Sequence, residues 1–362
     1  MRRVGATYLV VFALLRLTLA SPEGCSAPSP RAMRASAARA TAWLARHQRA
    51  DGSFLYESTR SGRDLGSYND VRHAGVLLAL YRAGDLRTAD RGLAWALDRV
   101  QPTRVGGSAL ASGSVADTGG AALLTSALAE RRALTGDRGH DATLLALGRF
   151  LLGMQRADGG FAVSIDVVTG TVDRTGTSRY YPGEAMWALA RLATTFGNAP
   201  WRKAAERAAR FVATRRDDIE HVVAPPLNDH WAAYGFAELA KGAPLDAEVA
   251  SYARHLYGRF ALLVRTESRH DAAPIAALLG PPRRSAALGT WVEGQAALAR
   301  LAPLDPRVRG LQRRITASAR CGAGVLVERQ AANGAWYDSD ITRMDDEQHA
   351  ISGLLATADL AR

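Results

Sequence analysis

QRADGGF, residues 155–161, decides the fold. A near copy, QRADGSF, occupies 48–54, and a looser one, QAANGAW, occupies 330–336. Each lies between two stretches with helical apolar spacing, so each is a chain reversal used three times. Asp51, Asp158 or Asn333 suits the turn because a short polar side chain bonds backbone nearby. The glycine that follows accepts a left-handed conformation. Gln48, Gln155 and Gln330 are placed to bond the free carbonyls of the helix that ends there. Phe54, Phe161 and Trp336 pack back on the hairpin. These are the roles of a structural brace.

Working outward, the three turns are separated by close to two and three copies of one helix–loop–helix unit, the signature of an internal repeat. Twelve segments carry apolar residues at i, i+3 and i+4. The first of each pair spans about 32–48, 88–100, 141–155, 201–215, 246–264 and 306–320. The second spans about 70–83, 117–134, 182–196, 229–240, 289–301 and 346–360. Ala and Leu dominate, which favours helix. Six helical hairpins of similar length predict an all-α chain closed as an (α/α)6 toroid over residues 31–362, with the second helices inside. The stretch 162–181 is the most strand-like and reads as a small β-hairpin near the mouth, a lid or a brace; 269–289 is a second insertion.

The pattern Gln-x-x-Asp/Asn-Gly-x-Phe/Trp resembles the brace of terpenoid cyclases and the related turns of protein prenyltransferases. The six-hairpin layout resembles six-hairpin glycosidases, uronyl hydrolases, polysaccharide lyases and sugar epimerases. The likeness covers nearly all of 31–362. It implies the toroid and names no single family.

The chain has 362 residues, 48% apolar, with a net charge of +11 carried almost wholly by Arg; Lys203 and Lys241 are the only lysines. No RNP, zinc-finger or basic-zipper pattern accompanies that charge, so nucleic acid is not expected. MRR followed by YLVVFALL and small residues to Ala20 reads as a signal peptide over 1–20, with a Pro/Ser linker over 21–30. That predicts a secreted or periplasmic protein. A lipoprotein anchored through Cys25 is the weaker alternative, because Pro22 stands where a lipobox wants an aliphatic residue. No later stretch is long and apolar enough to span a bilayer. Two cysteines, Cys25 and Cys321, make no disulfide framework, and Cys321 reads as a small buried residue. A monomer is expected.

In a toroid the inner helix starts line one mouth of the barrel, and here they are polar where core residues would be apolar. Asp70, Asp117, Asn228 and Asp345 suit helix capping. His73, Glu184, Gln295 and His349 fall a turn inside, where a cavity is expected. Ring closure predicts His349 near His73. Two histidines and a carboxylate can bind a metal or work as an acid/base pair; the second is expected here, with no metal and no cofactor. The candidate catalytic set is Glu184, His349, His73 and Asp229. The candidate substrate-binding set is Arg72, Asp70, Tyr181, His230, Trp231, Trp291, Glu293, Gln295 and Asp346.

Aromatic faces beside carboxylates, amides and Arg72 suit a saccharide or another small polar ligand, a uronate included. The functional expectation is an exported carbohydrate-active protein of hydrolase, lyase or epimerase type. The first alternative is a non-catalytic toroid that holds a glycan or peptide. The second is a terpenoid cyclase or prenyltransferase-like protein. Against that one, no Asp-x-Asp-Asp motif occurs, and YDSDITRMDDEQH at 337–349 is the nearest text.

Overall fold

The outer helices bury one face each. In Ala199–Phe211 the buried positions are Trp201, Ala204, Ala205, Ala208, Ala209 and Phe211, the spacing that keeps one stripe against a core. The inner helices are buried all round: His73 to Tyr81 is an unbroken buried run. The computed structural model describes residues 2–15, 25–197, 199–270 and 282–361. Among them six outer helices, α1 (Pro30–Arg46), α3 (Leu86–Leu97), α5 (Asp141–Met154), α7 (Ala199–Phe211), α9 (Ala247–Glu267) and α11 (Gln312–Arg329), alternate with six inner ones. The inner set is α2 (Asp70–Ala83), α4 (Thr118–Thr135), α6 (Tyr181–Phe196), α8 (His230–Ala240), α10 (Ser285–Leu301) and α12 (Met344–Ala358). Each inner helix packs on the next, and α12 packs on α2, so the ring closes as an (α/α)6 toroid. Left-handed glycines Gly84, Gly136 and Gly197 end α2, α4 and α6.

The three braces join neighbouring outer helices. Gln48 donates to the Thr88 carbonyl on α3, Gln155 to Ala204 on α7, and Gln330 to Ser36 on α1, at 2.9 Å each. The expectation that these amides cap their own ending helix is therefore corrected. Each reaches across to the following outer helix while also bonding within its own turn, at Gly52, Gly159 or Gly334. The glycines have φ of +92°, +93° and +99° and lie against the carbonyls of Arg91, Arg207 and Arg39. A Cβ there would stand 2.4–2.5 Å from carbonyl oxygen, so the position requires glycine twice over. Phe54, Phe161 and Trp336 are buried, as expected.

Five short strands form an antiparallel sheet, of which the sequence foresees only the last two: β2 (Val100–Pro102), β3 (Ser108–Ser112), β4 (Val115–Asp117), β5 (Ser164–Asp166) and β6 (Val172–Asp173), in that order. The hairpin expected within 162–181 is β5–β6, with Ile165 opposite Val172. It pairs on its other side with β4, Ala116 opposite Ile165, and so is tied into the wall leading to α4. Neither of its strands lines the axial cavity described below, but the end of the same stretch, Ser178, Tyr180 and Tyr181, does. A second pair joins the ends of the ring: β1 (Glu57–Thr59) with β7 (Ile341–Arg343), reinforced by a 2.7 Å ion pair from Arg343 to Glu57. Of the insertion at 269–289, residues 271–281 lie outside the described residues, and α10 begins at Ser285.

Cys25 and Cys321 form a disulfide, with Cα atoms 5.3 Å apart. This corrects the reading of Cys321 as only a buried apolar residue. A lipid thioether on Cys25 and this bond would exclude each other, since both use the same sulfur. A disulfide is compatible with an oxidising, exported setting. Of the expected leader and linker, 16–24 lie outside the described residues. Arg2–Leu15 is a helix with Leu9 and Phe12 exposed. No helix among the described residues is long and apolar enough to cross a membrane.

Candidate functional site

The starts of α2, α6, α8, α10 and α12 surround a cavity of about 340 Å³ on the ring axis. Arg72 enters it from α2, Tyr181 and Glu184 from α6, and His230 and Trp231 from α8; Thr290 comes from α10, and Asp345, Gln348 and His349 from α12. A larger hollow, about 700 Å³, lies outside the barrel between α7 and α9, with no inner helix in its wall. Volume alone would favour the outer hollow. Convergence of polar helix starts favours the axial one over that outer hollow, because there side chains from several inner helices could meet on one small ligand.

At the axial cavity His230 and His349 stand edge to face, ring centroids 4.9 Å apart. They come from helices on either side of α10. That helix supplies Glu293, whose Oε1 accepts from His349 Nδ1 at 2.7 Å. A carboxylate only accepts, so Nδ1 carries the hydrogen of this bond, and in the neutral imidazole Nε2 is then the nitrogen with the lone pair. Glu293 Oε2 accepts the Tyr234 hydroxyl at 2.8 Å. His230 is buried at the first turn of α8, and neither ring nitrogen has a protein partner among the described residues. Burial, then the nearby His349 and Arg82, holds it neutral far below the usual imidazole range. One atom each of His230, Glu293 and His349 lies within 4.8 Å of the others, close enough for one divalent cation.

Glu184 is buried, and its Oε2 has no protein partner. Burial, then the charges of Asp229 and Asp117, pushes its carboxyl up to about 8, so it stays protonated at neutral pH. Gly119 on α4 makes room for it, since a Cβ there would lie 2.5 Å from Glu184 Oε2 and 2.4 Å from the Tyr181 ring. Asp345 faces Arg72 Nε at 3.3 Å, and its Oδ1 is unpartnered. Arg72 also bonds the Tyr56 hydroxyl.

Several expected site residues lie elsewhere. His73 points outward from α2, where Nδ1 meets the Tyr68 hydroxyl at 2.6 Å and Nε2 the Gly92 carbonyl at 2.9 Å. Helix α12 does pack beside α2, but His349 turns toward α8 and α10. Asp229 caps α8 through Ala232 N and is paired with buried Arg216, so it is not free to act on a ligand. Asp346 serves the start of α12 through Arg343 N and holds Arg284 at 2.6 Å. Asp70 borders a separate surface hollow with Trp95 and Arg99. Gln295 donates to Ser318 on α11, and Trp291 is buried outside the cavity wall. Glu293 supports the cavity from behind. Arg72, Tyr181, Glu184, His230, Trp231 and His349 are brought together. The sequence reading assigned Asp345 to capping, placed Tyr180 and Gln348 at inner helix starts without giving them a role in the site, and passed over Thr290; all four line the cavity. Their positions within the first two turns of inner helices, or at the cap, were the available signal.

No family model matches the chain, and no curated protein matches it. Solved structures of the same fold do. Cellobiose 2-epimerase from Spirochaeta thermophila DSM 6192 superposes with a TM-score of 0.63 at 15% identity, over 91% of this chain and 97% of that one. A sugar epimerase from a ruminal bacterium gives 0.62 at 12% identity, over 91% and 99%. An unsaturated glucuronyl hydrolase specific for heparin gives 0.61 at 12%, over 91% and 98%. At these identities the likeness shows the fold alone: this chain is a six-hairpin (α/α)6 toroid.

Proposed function

We propose that the axial cavity is the active site of an enzyme that moves a proton on a carbon of a saccharide, an epimerase or isomerase type. The observation that carries this is the His230–His349 pair: two imidazoles in contact, one oriented by Glu293, the other neutral and unpartnered. In an open-chain sugar the hydrogen on the carbon next to the carbonyl is acidic. His349 Nε2 takes that proton and becomes an imidazolium, and the electrons pass to the carbonyl oxygen as an enediolate, toward which neutral His230 can turn its N–H. The imidazolium then gives its proton to the neighbouring carbon, or back to the same carbon on its other face once the enediolate has turned, so atoms and charge balance over the cycle. Trp231 and Tyr181 offer apolar faces to the ring or chain, and Arg72, Asp345 and Gln348 offer partners to hydroxyls. The neighbours named as sugar epimerases fit this reading.

Incubation with neutral mono- and disaccharides in D2O tests it. Deuterium should enter the carbon beside the carbonyl, and His349→Asn should slow entry by about 10² or more, the usual worth of a placed general base. Sugars that bind in calorimetry but show no exchange under any condition would leave a binding protein instead. A second reading, glycoside hydrolysis, is favoured by one feature: Glu184 is a protonated carboxyl with Asp345 in the same cavity. Release of reducing ends that is lost in Glu184→Gln and kept in His349→Asn would select it.

A further inference from the structure

Tyr234 and Arg82 lie on the far side of Glu293 from the cavity, toward the opposite mouth of the barrel. That mouth is a hollow of about 390 Å³ at the inner helix ends, bordered by Arg82, Glu130, Trp187, Arg191 and Tyr234. Arg82 Nη1 donates to the Tyr234 hydroxyl at 3.0 Å, and that hydroxyl donates to Glu293 Oε2. The same guanidinium nitrogen is 3.8 Å from Oε2. Glu293 then accepts from His349 Nδ1. The Arg82 guanidinium lies over the Tyr234 and Trp187 rings, 4.7 and 5.3 Å from their centroids, and Glu130 is 3.9 Å from its Nε. One continuous chain thus runs through the barrel from one mouth to the other.

We propose that Tyr234 and Arg82 are positioning residues that act through Glu293 to fix which nitrogen of His349 faces the cavity. The physical reason lies in the carboxylate. Held by the Tyr234 hydroxyl on Oε2 and with the Arg82 guanidinium nearby, the Glu293 carboxyl is fixed in orientation, its Oε1 turned to His349. It therefore takes a hydrogen only from His349 Nδ1. Without Tyr234 one oxygen is left buried and unpaired, and the carboxyl relaxes by turning or by taking a proton. A protonated or turned carboxyl no longer selects one imidazole tautomer, and the cavity side of His349 becomes a mixture of donor and acceptor. Tyr234→Phe removes only the hydroxyl and keeps the ring on Trp187, which it stacks at 4.7 Å.

The catalytic half of this inference rests on the proton-transfer reading; the tautomer half does not. In full-length protein carrying 15N-histidine, His349 should show one tautomer with hydrogen on Nδ1. Tyr234→Phe should give a mixed or reversed tautomer, Arg82→Gln a partial change, and Arg82→Lys recovery toward the parent. If sugar exchange is present, Tyr234→Phe should lower kcat about tenfold while KM stays within about twofold, as for an interaction that matters in the transition state. A single Nδ1–H tautomer retained in both Tyr234→Phe and Arg82→Gln would overturn the proposal, as would hydrogen on Nε2 in the parent. Should Tyr234→Phe fail to fold, Arg82→Gln and its lysine counterpart decide alone. Should no sugar exchange, the function above fails while the nitrogen shifts still judge this one.

Discussion

Glu184 is a carboxyl kept without a counter-ion at the edge of the axial cavity, and its cost has a sign. Its folded value, about 8, lies above the ordinary 4.5. Between those two the folded chain holds a proton that the unfolded chain has released, so stability falls as pH rises through the window. Below about 4.5 the penalty vanishes, and above about 8 it is complete. Glu184→Gln should therefore raise the unfolding free energy at pH 7 by roughly 2–4 kcal/mol and flatten its decline with pH, measured by urea melts from pH 5 to 8. A variant no more stable than the parent would show that the site tolerates a carboxylate. At this scale the sequence was only partly legible. His73 and His349 occupy matching places in their helices, yet one meets Tyr68 and Gly92 and the other meets Glu293. Which side of a wholly buried helix faces the axis is not written in its apolar pattern, because no side is polar. His230 and His349 meet across α10, a pairing that requires the ring to be built first.

At the scale of elements, helix periodicity placed the ends of most inner and outer helices within a few residues. The exception is the last outer helix, expected at 306–320. A short turn, Pro306–Arg309, precedes α11, which runs on to Arg329. The hairpin β5–β6 was legible, but β2, β3 and β4 were missed because they are three to five residues long and the longest, Ser108–Ser112, is mostly Ala and Ser, so neither β-branching nor alternation marks it. The braces were recognised as turns, but their reach to the next outer helix was not, since that partner is 40 residues away for Gln48 and 294 for Gln330. Their glycines carry a clear expectation. Gly159→Ala would force a Cβ to 2.5 Å from the Arg207 carbonyl at φ +93°. It should cost about 2–4 kcal/mol in denaturant unfolding, from strain plus displacement of α7. Gly136→Ala, left-handed as well but with open space around it, should cost less.

For the whole molecule, the six-hairpin closure was legible from one repeated turn and twelve periodic segments. The seam where the ring meets itself was not. It is fastened by α12 on α2, by β1 with β7, by Gln330 to Ser36 and by the sulfur link from Cys25 to Cys321. Two cysteines 296 positions apart gave no spacing to read. That link encloses nearly the entire polypeptide in one covalent hoop. A protease cutting once at any surface loop between those two positions would therefore release no fragment. On a gel run without thiol the nicked protein should migrate as one band, and only added reductant should part it in two; separate bands before reduction would mean the hoop is open in solution.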